Sequence, residues 1–101
     1  MKICVTKKDI LLGNRESENS CPVALALLRN LKKKYVKLII AVHVQGRLVQ
    51  VWKEHGRYVV LDLGDTVSKR IGRYDMTGRM QPFAFKIDTS DLTTMINEFV
   101  N

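Results

Sequence analysis

A chain of 101 residues, 46% of them apolar, is long enough for one domain that buries roughly two-thirds of its unfolded surface and folds without metal or disulfide staples. No apolar run reaches the roughly 18 to 20 residues a membrane-spanning helix needs, and the first residues carry no apolar signal core, so the expectation is a cytoplasmic protein with no membrane partner. Seventeen Lys and Arg against ten Asp and Glu give a formal net charge of +7, which favours acidic partners and attracts nucleic acid without making nucleic-acid binding the function.

In chain order, Lys2-Ile3-Cys4-Val5-Thr6 alternates as a first strand, with Ile3 and Val5 on one face and Cys4 on the other. Thr6 and Asp9 have the spacing of a capping box for a short helix whose apolar side is Ile10, Leu11 and Leu12. Gly13-Asn14 supplies residues that tolerate the left-handed conformation at its end, and 13–20 reads as a polar loop. The next helix is the clearest in the chain. Ser20 is placed to cap it, Pro22 sits in its first turn, and Ala24, Leu27, Leu28, Leu31 and Tyr35 form one inward stripe. Its last turn carries Lys32, Lys33 and Lys34, where positive charge complements the exposed carbonyls.

Residues 36–44 are rich in β-branched side chains on both faces and are expected to form a central strand. Turns at 45–47 and 54–57 separate it from strands at 48–53 and 58–63, which makes an antiparallel meander. Asp65 is expected to cap a helix with Val67, Ile71 and Tyr74 inward and Lys69, Arg70 and Arg73 outward, weakened by Gly72. A loop at 75–79 turns at Gly78. A strand at 80–87 follows, with Phe83, Phe85 and Ile87 on one face and Pro82 confining it to a start or edge position. Ser90 is expected to cap a final helix with the stripe Leu92, Met95, Ile96 and Phe99. The expected class is α+β: residues 1–101 as one domain, an antiparallel-rich sheet of about five strands with helices packed on it.

Three segments together resemble a family of small bacteriophage and prophage proteins that generally lack an assigned function. They are the strand and short helix from Lys2 to Gly13, the helix start Cys21-Pro22-Val23-Ala24-Leu25-Ala26, and the strand Gln81-Pro82-Phe83-Ala84-Phe85. The second is similar to the family's Cys-Pro-Ile/Val-Ala-Leu-Ala signature and the third to its Pro-Phe-x-Phe strand. Order and spacing fit over residues 2–87; residues 88–101 extend past the match. The resemblance implies a phage-encoded accessory protein in the host bacterial cytoplasm, and it brings no catalytic residues.

Candidate chemistry is sparse. Cys21 lies at a helix N-terminus, where a thiol can become nucleophilic, but its base would have to be His43 or His55 arriving from a strand or a turn, so a packing role is favoured. Cys4 and Cys21 both read as buried thiols of a reducing compartment, with a disulfide between them disfavoured. Cys4, Cys21, His43 and His55 lack the close pairing of zinc ligands, and Asp62 with Asp65, three apart, is a weak metal pair because Asp65 is already explained as a cap. Gly64-Asp65-Thr66 lacks the glycine-rich spacing of a phosphate loop. No metal, no cofactor and no enzymatic activity are expected.

The remaining constellation is basic: Lys32, Lys33, Lys34 and Lys37 around one helix end, and Lys69, Arg70 and Arg73 on a later helix. If both helices cover one sheet face, these residues form a single positive band for phosphates; the competing reading is two solvated helix faces. Trp52, with Tyr58 across the hairpin, would stack on a base, anchor a protein partner or belong to the core. The leading expectation is therefore a non-enzymatic basic binding module for nucleic acid or an acidic host protein. Behind it stands an inhibitor of a bacterial defence system that binds a protein or sequesters a nucleotide signal, and third an enzyme using Cys21. A homodimer through an uncovered edge strand or the final helix stays open.

Overall fold

The computed structural model describes residues 1–35 and 38–100, with only the backbone described for His55 and residues 97–100. Strand β1 (Lys2–Val5) leads through the short helix α1 (Lys7–Leu12) and a polar loop into the long helix α2 (Pro22–Tyr35). Strands β2 (Ile39–Gln45), β3 (Leu48–Lys53) and β4 (Arg57–Asp62) follow, then helix α3 (Asp65–Thr77), strand β5 (Phe83–Lys86) and helix α4 (Ser90–Val100). The class is α+β, as the sequence predicts, with the five strands divided between two antiparallel sheets. β1 pairs with β5, and β2, β3 and β4 form the meander.

α2 lies against β2 and β1. It buries a wider stripe than the predicted one, because Val23 and Ala26 join Ala24, Leu27 and Leu31 in the interior, while Leu28 and Tyr35 are half-buried. Those side chains meet Ile3 and Val5 of one sheet and Val42, Val49 and Val51 of the other, so a single core spans both sheets. Leu92, Met95 and Ile96 of α4 are buried in the same core as predicted; the Phe99 side chain lies outside the described residues.

Several local expectations are corrected by longer-range contacts. The β2 strand is at an edge and β3 is central, because the meander places its middle segment between the other two. A register shift between Ile39 and Ala41 makes Ile40 an extra, exposed residue, so Ile39, Val42 and Val44 end up on the inner face and Ala41 and His43 on the outer one. Cys4 is exposed, on the face of β1 turned away from the core; only Cys21 is a buried thiol. The capping box of Thr6 and Asp9 is present, yet Leu11 and Leu12 are 83% and 63% exposed, because α1 is too short to wrap its apolar side onto α2 beyond Ile10.

Helix ends also differ from expectation. Ser20 hydrogen-bonds Ser17 and Asn14 within the loop, and the Cys21 thiol takes the capping place, accepting from the Ala24 N–H at 3.4 Å. Gly64 (φ 84°) takes the position before α3, so Asp65 is inside the first turn and is not the cap. Asp75 to Thr77 are helical, which carries α3 to Gly78; its left-handed backbone (φ 71°) returns an N–H to the Tyr74 carbonyl at 2.7 Å. Asp88, through its carboxylate, accepts from the Ser90 N–H at 2.9 Å, so Ser90 is the capped residue instead of the cap.

Gly72 is helical and exposed, and among the described residues nothing beyond the adjacent backbone of its own helix lies within 4 Å of an added Cβ. Gly72→Ala should therefore raise stability by about 0.5–1 kcal/mol, read as a higher urea midpoint. A lower midpoint would mean that the outer face of α3 is covered.

Candidate nucleic-acid interface

The two basic clusters lie on different elements, one on the last turn of α2 and the other on the exposed side of α3. Lys32, Lys33 and Lys34 are exposed on its last turn, next to Tyr35, whose hydroxyl is 3.0 Å from the Thr93 hydroxyl of α4. The Lys34 ammonium also lies over the Tyr35 ring, 5.3 Å from its centroid. Near the end of α3, Tyr74 donates its hydroxyl to the Gly13 carbonyl at 3.2 Å, and Gly13 abuts Pro22 at the start of α2. Lys32 to Lys34 follow Pro22 by ten to twelve residues, about 15–18 Å along the helix axis. Lys37 lies outside the described residues.

On α3, Lys69, Arg70 and Arg73 are exposed as predicted. The structure adds a third arginine to them. Arg70, Arg73 and Arg79 line one open cleft of about 570 Å³ together with Thr77, Gly78 and Gln81, over a wall formed by Ile10 and Met80. Among the described residues no acidic side chain lines it. The Arg70 guanidinium carbon lies over the Phe83 ring, 4.5 Å from its centroid, a cation–π contact. Arg73 and Arg79 have no side-chain hydrogen bond or ion pair among the described residues. The sequence alone leaves Arg79 out, because 75–79 reads as a loop; its signal is Gly78, whose left-handed backbone reverses the chain and returns Arg79 to the last turn of α3.

The outer face of the meander is a different surface. Cross-strand partners Trp52 and Tyr58 bring their rings to 4.5 Å between centroids, and His43 meets the edge of Trp52 at 6.3 Å. Trp52 is half-buried there and donates its indole N–H to Gln50 at 3.3 Å, so it belongs to this outer face and not to the core. Leu48 and Val60 are exposed on the same face. One corner is closed by Arg47, which holds Asp62 through Nε and Nη2 (3.1 and 2.8 Å) and Asp65 through Nη1 at 2.9 Å. Arg47 and the Gly64 N–H keep the Asp62 carboxyl below the usual carboxylate range. The two aspartates considered as a metal pair are thus an arginine clamp between the β2–β3 turn and α3.

Cys21 is only 2% exposed, and burial pushes its thiol above the ordinary value; the nearby Asp75 carboxylate pushes it the same way. Its surroundings favour the neutral thiol. Among the described residues no three His, Cys, Asp or Glu side chains stand together as metal ligands. His43 faces Glu18 at 3.9 Å, and the His55 side chain lies outside the described residues. No described helix is long and apolar enough to cross a membrane. Comparison with family models, curated proteins and solved structures gives no match.

Proposed function

We propose that this chain is a non-enzymatic binding module that holds nucleic acid through the basic surface of α3. The observation that carries the reading is the convergence of Arg70, Arg73 and Arg79 on one cleft that no acidic side chain lines among the described residues. Guanidinium groups are bidentate donors matched to phosphate oxygens, and an unopposed group of them attracts a polyanion over the distance that salt permits. Lys69 extends the same surface, and Lys32 to Lys34 offer a second, separate contact for a longer strand. The phage-type accessory role, and with it the host cytoplasm, rests on the resemblance of the three sequence motifs. The neutral thiol of Cys21 weighs against the nucleophilic alternative.

Fluorescence anisotropy with a labelled single-stranded oligonucleotide tests this. Affinity should fall with salt at a logarithmic slope near −2 for three phosphate contacts, about 0.7 each on a single strand. Lys69→Glu with Arg73→Glu should weaken binding at least tenfold, and Lys32→Glu/Lys33→Glu/Lys34→Glu by less. Affinity indifferent to salt and to both variants would sink the reading.

A second reading is supported by the outer sheet face, where Trp52 and Tyr58 are the residue types that anchor protein interfaces. There the chain would bind a host protein and act as an inhibitor of a bacterial defence system. Trp52→Ala would then abolish the complex and leave oligonucleotide affinity unchanged.

A further inference from the structure

Building on the nucleic-acid reading, we propose that the cleft of Arg70, Arg73 and Arg79 is a subsite for a phosphate monoester: the phosphorylated end of a strand, or a free nucleotide. Four features of the site converge on that ligand.

The first is charge. Three guanidiniums around one cleft that no described carboxylate lines match a dianionic monoester better than the single charge of an internal diester. Second, the backbone fixes where the three arginines start, and one of their side chains is braced. Arg70 and Arg73 stand one turn apart on α3, and Arg70 is braced on Phe83. The Thr77 hydroxyl donates to the Arg73 carbonyl at 2.8 Å and accepts from the Arg79 N–H at 3.2 Å, which ties Arg79 to the end of the helix.

Third, the usual objection to an anion at a helix C-terminus is met. The exposed carbonyls there carry partial negative charge. Here Arg15 covers two of them, donating through Nε and Nη2 to the Asp75 carbonyl (2.9 and 2.8 Å) and through Nη2 to the Met76 carbonyl at 2.8 Å. Fourth, the cleft has a wall for more than phosphate. Ile10 and Met80 offer apolar surface, and about 570 Å³ lies within the range of small-ligand sites.

The test compares matched probes on the full chain: a 12-nucleotide oligothymidine with 5′-phosphate against the same strand with 5′-hydroxyl, and AMP against adenosine. At least one phosphorylated probe should bind tenfold or more tighter than its counterpart. Arg73→Gln/Arg79→Gln should reduce that preference below twofold, and Arg73→Lys/Arg79→Lys, which keeps charge but loses the fork, should leave it intermediate. Urea midpoints of these surface variants should match the parent. A preference in the strand pair alone assigns a strand end, and one in the AMP pair alone assigns a free nucleotide. Equal affinity within both pairs overturns the subsite while a salt-dependent strand affinity keeps the wider reading. Tight AMP binding with no strand binding keeps the subsite and overturns the wider reading.

Discussion

Arg29→Ala should destabilise the protein by about 2–3 kcal/mol, one of the largest single-residue effects expected outside the apolar core. Asp9 is 4% exposed and closes the capping box of α1, accepting from the Thr6 N–H at 2.8 Å and the Thr6 hydroxyl at 3.0 Å. Its other oxygen accepts from Arg29 Nη1, while Arg29 Nη2 donates to the Cys4 carbonyl at 2.9 Å. One guanidinium thereby joins β1, α1 and α2. Removing it leaves a buried carboxylate without its cation, a loss of about 3–5 kcal/mol when both partners are fully enclosed. The Arg29 side chain is 47% exposed, so water recovers part of that. Asp9→Asn keeps an acceptor for the cap and should cost less, and the double variant should be less destabilised than the two singles summed, by about 1 kcal/mol or more. Urea unfolding measures all three. A loss under about 0.5 kcal/mol for Arg29→Ala would place this pair among ordinary surface ion pairs.

Gly13→Ala is expected to cost about 2–3 kcal/mol for a different reason. The Gly13 backbone is ordinary extended chain (φ −72°, ψ 154°), which alanine adopts freely, so the penalty is steric alone. An added Cβ would lie 2.7 Å from both Cδ and Cγ of Pro22 and 2.9 Å from the Asp9 carbonyl oxygen. Neither neighbour yields readily. The proline ring is fixed in the first turn of α2, and the Asp9 carbonyl accepts the Gly13 N–H at 2.9 Å, closing α1. Tyr74 reaches the Gly13 carbonyl from α3, so three helices meet at this residue. A thermal or urea midpoint unchanged by Gly13→Ala would show that α1 and α2 separate at little cost.

These two residues also mark where local pattern stops being informative. The sequence suggests the left-handed region for Gly13, a local reason, whereas its actual reason is a proline nine residues away. The α2 stripe, the capping box of Thr6 and Asp9, and the meander were legible because 3.6-residue and two-residue periodicities and short turns encode them locally. The bulge at Ile40 was not legible. A one-residue slip exchanges the faces of a strand, and only the pairing with β3 sets it. Division of the strands into two sheets was equally hidden, since the β1–β5 pairing joins residues far apart in sequence. Of the site, Lys69, Arg70 and Arg73 followed from helical spacing. Arg79 and Arg15 did not, because each arrives through a tertiary contact at the end of α3.

The most direct test of the α3 surface is to map where an oligonucleotide touches the chain, by titrating it into isotope-labelled protein and following backbone amide shifts at low salt. The account predicts the largest changes at Lys69, Arg70, Arg73, Thr77, Arg79 and Phe83, with weaker ones at Lys32 to Lys34. Changes confined to Trp52, Tyr58 and Val60 on the outer sheet face, with α3 silent, would contradict it.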